Sequence, residues 1–220
     1  MERQLRARTS EAMVLGVVCA LVLIAGSGCQ QYARIAWGAP KPVQVENKTL
    51  LAVGDLSELK RRGGIWDKQP SQATIGKHTF TVFAIPVGSI NAHQTTPLKQ
   101  SFDRGIRQAL EATGYELVSA SDAAQDTPVL RGEVRACWWW SYTWFWPLTI
   151  QGGENKVVLF LEQRDGTVLW QHAFSRIEPG MAFGGAYGFD SMVKWSMTKL
   201  LQDIVRECSS ERFKAVLRKG

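Results

Sequence analysis

The dipeptide Asp165-Gly166 constrains this chain more than any other two residues. Asp-Gly between alternating apolar runs is a strong short-range signal for a β-hairpin, because the tight turn needs left-handed backbone that these residues tolerate. Before it, Val157, Leu159 and Leu161 alternate with Val158, Phe160 and Glu162 across Lys156 to Arg164. After it, Val168, Trp170, His172 and Phe174 alternate across Thr167 to Arg176. A period of two puts one set on each face of the strand. The chain is therefore built around an antiparallel pair with at least one dry face.

The other segments arrange themselves about that hairpin. Thr49 to Val53 reads as a short strand, and His78 to Ile85 as a stronger one closed by Pro86. Phe80, Val82 and Ala84 on one face and Phe83 and Ile85 on the other suit a strand covered on both sides. A helix follows. Thr95 or Thr96 can cap it, Pro97 suits its first turn, and Gly114 its end. Leu98, Phe102, Ile106, Ala109 and Leu110 recur at helical spacing. Tyr115 to Val118 and Pro128 to Cys137 read as strands, and Glu178 to Phe189 as a glycine-containing loop without the order of a phosphate cradle. From Asp190, Val193, Met197, Leu200, Leu201, Ile204, Val205 and Cys208 make one helical stripe. Ser209-Ser210-Glu211 can cap a last short helix carrying Phe213. The expected fold is α+β, a mixed or mainly antiparallel sheet with two helices packed on one face, forming a single domain over residues 48–220.

The N-terminus has a different logic. Arg3, Arg6 and Arg8 precede an apolar run that ends in Ala25-Gly26-Ser27-Gly28 and then Cys29. The run from Met13 to Ala25 is shorter than the roughly 20 apolar residues of a membrane span. A basic start, an apolar middle and small residues at the end make a secretory signal. With its terminal cysteine it resembles a bacterial lipoprotein signal, with Gly26 where that pattern favours Leu. The resemblance implies that residues 1–28 are removed and that Cys29 carries the lipid, palmitate among its chains. It also implies a membrane partner through that lipid and a periplasmic domain. Gln30, where Asp would retain a lipoprotein at the inner membrane, points to the outer membrane; the inner membrane is the alternative. Residues 29–47, with Gly38-Ala39-Pro40-Lys41-Pro42, read as a lipidated tether.

The formal charge is +6, and the signal's three arginines and two glutamates account for a net +1, leaving the remainder near +5. The basic residues are scattered, which argues against nucleic acid. Lys60-Arg61-Arg62 reads as a solvated loop, or in a sharper reading as a contact for lipid phosphates. Of four cysteines, Cys137 and Cys208 remain after the signal and the lipid site. In an oxidising compartment they are a candidate disulfide, or else two small buried apolar residues.

Cys137 to Pro147 holds five of the nine tryptophans: Trp138, Trp139, Trp140, Trp144 and Trp146. So many large residues in a row cannot all point inward from a strand. Three readings stand: core filling with a partly exposed patch, a membrane-touching loop, and a surface for a partner or apolar ligand. His78, His93 and His172 lack the spacing of metal ligands. No nucleophile elbow, paired-carboxylate signature or phosphate loop occurs. No enzyme, metal or cofactor is expected; a hydrolase with an unrecognised site is the alternative.

With Cys29, several stretches carry a resemblance to small Gram-negative envelope lipoproteins. They are Phe80 to Pro86, Ala109 to Tyr115, Leu130 to Val134, and Asp190 to Val205. The group includes the YajG-like family and the auxiliary lipoproteins of ABC-type transporters. The resemblance implies a non-catalytic adaptor or binding component, in lipid or envelope transport, with an envelope protein partner.

Overall fold

The computed structural model describes residues 31–43, 49–59, 74–80, 85–145, 148–183 and 189–218. In chain order they form β1 (Gln31–Ala33), β2 (Thr49–Val53), β3 (Glu58–Leu59), β4 (Thr74–Phe80), β5 (Ile85–Ala92), α1 (Leu98–Ala112), β6 (Tyr115–Ser119), β7 (Val129–Phe145), β8 (Leu148–Glu162), β9 (Val168–Phe183), α2 (Phe189–Cys208) and α3 (Glu211–Leu217). The fold is α+β, as expected, around one mixed sheet.

The hairpin at Asp165-Gly166 is present, with Gly166 at φ +88°. It is longer than its alternating core suggests, because β8 starts at Leu148 and β9 runs on to Phe183. Its first strand pairs along its whole length with β7, so β7, β8 and β9 form an antiparallel meander of long strands. β7 is the spine of the sheet. Its other edge pairs in parallel with β2 at Ala52–Val53, then β3 at Glu58–Leu59, then β4 at Gly76–Phe80. Beyond β4 lie β5, antiparallel, and β1, parallel to β5. Beyond β2 lies β6. The end of the sheet where β7 finishes and β5 starts is called the tip below.

Three sequence expectations are corrected. The span from His78 to Ile85 is not one strand: it covers the end of β4 and the start of β5, and positions 81–84 lie outside the described residues. The strand expected over Pro128 to Cys137 does not stop there: the aromatic segment as far as Phe145 is part of β7 itself. The tether expected over residues 29–47 is, from Gln31 to Val43, packed onto the domain. There Arg34 N donates to Asp190 Oδ1 (2.9 Å), Gly38 N to Thr198 Oγ1 (2.7 Å) and Val43 N to the Ala112 carbonyl (2.7 Å). The segment crosses both long helices and satisfies its own backbone on them, which a free tether does not do.

The helices cover one face of the sheet. α1 buries Leu98, Phe102, Ile106, Ala109 and Leu110, its one apolar stripe. Its N-cap position is Pro97, without a side-chain cap bond; Thr96 Oγ1 instead accepts from Ile35 N (3.2 Å). α2 lays its stripe on β8 and β9, pinned by Asn155 Nδ2 donating to Ser196 Oγ (3.0 Å) and by the Arg176–Asp203 ion pair. α3 closes the far end, where Phe213 meets the edge of Trp170 (4.8 Å between centroids) and of Tyr115 (6.0 Å). Each fully buried large side chain of this core contributes about 1.5–3 kcal/mol.

The two cysteines do not pair. Cys137 and Cys208 are free and buried. Cys137 lies opposite Asn155, and Asn155 reaches Ser196 on α2. Cys208 is twelve residues further along that helix, about 18 Å at 1.5 Å per residue. A disulfide needs Cα atoms within about 7 Å.

Candidate functional site: the aromatic face of the sheet

Alternation along β7 splits its aromatic run between two environments. Trp139 points to the helices and is fully buried. Trp138 and Trp140 are half-buried and Tyr142 exposed, on the side of the sheet away from the helices. Strand register extends this outer face across the meander. Tyr142 stands beside Ile150 and Met181, Trp140 beside Gly152 and Pro179, and Trp138 beside Glu154 and Ile177. Exposure reaches 70% at Ile177 and 69% at Met181, and Tyr142 and Ile150 are also open. These are large apolar groups gathered on one surface rather than scattered singly, the arrangement that marks interaction surfaces.

Glycines shape both sides. Gly153 faces Trp139, and a Cβ there would lie 2.1 Å from the indole. Gly152 faces Trp140, where the same atom would lie 2.3 Å away. Each indole therefore lies flat over the strand opposite. Trp140 also packs against Tyr142 at 5.2 Å between centroids.

The outer face changes character along the strands. Away from the tip it carries Arg131, Glu133 and Arg135, with Arg135 bonded to Glu133 (2.9 Å) and lying over the Phe160 ring (5.9 Å). From Arg131 to Tyr142, about 35 Å of strand, the face passes from charged to aromatic.

The helix side holds several titratable groups. Burial pushes the Cys137 thiol up to about 12, against a smaller lowering by the Trp139 indole. Burial also raises Glu178, partly offset by Arg176 and Lys199. His172 is stacked on Trp170 (5.9 Å) with Glu207 at 3.5 Å, and His93 Nδ1 bonds Thr95 Oγ1 (2.7 Å). Both make local structural contacts; the side chain of His78 lies outside the described residues. Among the described residues no group of three or more His, Cys, Asp or Glu could hold a metal. A hollow of about 330 Å³ lies between Trp37 and the start of α1, lined by Gln100, Arg104 and Gln108. Trp37 Nε1 already donates to Gln108 Oε1 there (2.6 Å). A wider hollow runs along the outer side of α1 past Asp55 and Lys99. Burial alone would raise Asp55, but the bond from Lys99 (2.6 Å), the bonds from Ser57 and the Lys99 charge together outweigh it and hold the carboxyl below the usual range.

The expected surface residues thus separate. Trp138 and Trp140 line the outer face and Trp139 belongs to the core. Trp144 is in β7 but its side chain, like all of Trp146 and Cys29, lies outside the described residues. Sequence reading missed Tyr142, Ile150, Ile177 and Met181 as members of this face. The signal was the alternation itself, continued through Gly152 and Gly153.

No family model matches the chain, and no curated protein matches it. Among solved structures it is similar to protein XCC0632 from Xanthomonas campestris, of family DUF330. That match has 13% identity, a TM-score of 0.52, and covers 81% of this chain and 95% of the other. A likeness at that identity is one of fold. An uncharacterized protein aligns with a TM-score of 0.35 and 13% identity over 82% of this chain and 99% of its own.

Proposed function

We propose that this chain is a lipid-anchored envelope lipoprotein facing the periplasm. In this reading it is a non-catalytic adaptor or binding component, of the kind found beside ABC-type transporters that handle lipids, and Gln30 directs it to the outer membrane. The observation that carries the reading is the join between anchor and fold. The small-residue run ends at Cys29, and β1 begins at Gln31. Two residues reach at most about 7 Å. An acyl group on Cys29 therefore holds the domain against a bilayer rather than on a long leash. The fold likeness to XCC0632, a protein from a Gram-negative bacterium, is compatible with this. A second reading, a surface for apolar ligand or membrane, is favoured by the open outer face at Tyr142, Ile150, Ile177 and Met181.

The test is metabolic labelling of the full chain with an alkyne palmitate analogue, followed by separation of inner and outer membranes. Label on the wild type, lost in Cys29→Ala, in the outer-membrane fraction is the expected result. Label retained by Cys29→Ala overturns the anchor assignment, and label in the inner-membrane fraction overturns the location.

A further inference from the structure

We propose that the tip of the sheet, on the side away from α1 and α2, sits in the headgroup region of the bilayer to which the chain is anchored. Lipid, rather than a protein partner, then covers Trp138, Trp140, Tyr142, Ile150, Ile177 and Met181. This deepens the anchored reading above and rests on it.

The direction of β1 is the first argument. β1 runs parallel to β5, with Gln31 beside Ile90, and β5 begins at the tip beside Phe80. β1 therefore enters the sheet from the tip side. Gln31 is level with Gly76 and Trp139, since Ile90 pairs Gly76 and Gly76 pairs Trp139. The acylation site is two residues ahead of Gln31, about 7 Å of chain at most. Chain length thus keeps the anchor and the aromatic rows at the same end of the sheet.

The order of residues along the outer face is the second argument. Counting inward from the tip, the row Tyr142, Ile150, Met181 is uncharged, and so is the row Trp140, Gly152, Pro179. Within β7, β8 and β9 the first charge is Glu154, in the third row, and the next is Lys156, in the fourth; on the neighbouring β4, Lys77 is in register with Trp140. The two uncharged rows are separated by about 7 Å of strand. Interfacial segments bury their apolar face about 5–10 Å into the headgroup boundary. The apolar depth of this face therefore matches the interface and falls short of the hydrocarbon core. Its residue types agree, since Trp and Tyr have apolar rings with one polar atom and favour the membrane–water boundary. A protein partner has no reason to prefer a face graded along the direction set by the anchor. A bilayer imposes that gradient.

The test uses the full lipidated chain in phosphatidylethanolamine–phosphatidylglycerol vesicles, carrying an environment-sensitive dye at Met181→Cys or, as control, at Val168→Cys. Val168 is exposed at the opposite end of the same strand, and Cys137 and Cys208 are buried and do not compete for label. The acyl group on Cys29 is read separately by mass spectrometry. The expected result is a blue-shifted dye at 181, quenched several-fold more by lipid-borne nitroxide than the dye at 168. Adding Ile177→Asp should reverse much of that difference. Equal exposure of both dyes to water, with Cys29 acylated, overturns the inference and leaves the anchor standing. A dye at 181 shielded from aqueous iodide yet silent to lipid quencher overturns it in favour of a protein cover. An unmodified Cys29 overturns both readings.

Discussion

Trp139 and Gly153 face each other across β7 and β8, and the indole occupies the space a Cβ on Gly153 would need, 2.1 Å away. The glycine is there to make room. Its backbone is extended, so the requirement is steric. The same relation holds one residue on, on the other side of the sheet, between Trp140 and Gly152.

Gly153→Ala should therefore destabilise the fold by about 1–3 kcal/mol, the usual cost of overpacking a tight core. Trp139→Ala should cost about 3–5 kcal/mol through the cavity it leaves. Combining Gly153→Ala with Trp139→Ala should cost less than the sum of the single changes, because the smaller side chain removes the clash. Urea midpoints for the three variants check this; strict additivity would show that the two residues do not share the space.

Much of the architecture was legible in the sequence. The Asp165-Gly166 hairpin, the α1 stripe ending at Gly114, the α2 stripe and Ser210 as a cap all follow from local rules, and each stands in the structure. The limits of the long strands were not legible. Gly152-Gly153 reads locally as a turn, yet here the pair lies inside β8 because two tryptophans fill the places of the missing side chains. The packing of residues 31–43, within the expected tether, was hidden for a related reason. Proline and glycine forbid regular structure but do not forbid packing, and the bonds that hold Gly38 and Val43 come from α2 and α1, remote in sequence. The outer face needed register, which composition does not supply.

The strap from Arg34 to Val43 should behave as part of the fold. A chain beginning at residue 44 loses the Gly38–Thr198 and Arg34–Asp190 bonds and the cover that Ala33 and Ile35 give the core. Truncation there should lower stability by several kcal/mol, since Ile35 alone is a fully buried aliphatic worth about 1.5–3 kcal/mol. Thr198→Val should cost about 1 kcal/mol for the lost acceptor. Thermal unfolding of both variants measures this; an unchanged midpoint on truncation would restore the tether.

Ser210 caps α3, accepting from Phe213 N at 3.2 Å. Ser210→Ala should destabilise by about 1 kcal/mol. The effect should exceed a simple fraying, because Phe213 is fully buried against Trp170 and Tyr115. Ser210→Asp should restore most of the loss, as aspartate caps comparably and suits a helix N-terminus. Chemical denaturation of the pair decides between capping and mere packing of the hydroxyl.

Three buried acids set the alkaline limit. Burial raises Tyr115 to about 12 from 10.0, with smaller contributions from Cys208 and Glu211. Its hydroxyl donates to the Cys208 carbonyl at 3.0 Å. Burial raises Cys137 to about 12 from 9.0, and Cys208 higher still. All three are neutral when protonated, so the folded state holds protons that the unfolded chain has already released. Stability is therefore full below about pH 9, falls as the thiols of the unfolded chain ionise, and falls more steeply above pH 10 when its tyrosine joins them. Cys137→Ala with Cys208→Ala should flatten the slope between pH 9 and 10 relative to the wild type, whatever the packing loss does to the absolute value. Denaturation curves at a series of pH values supply the measurement. Because neither thiol ionises or pairs in the folded state, a thiol reagent should react with both only under unfolding conditions. Rapid reaction in native buffer would contradict their burial.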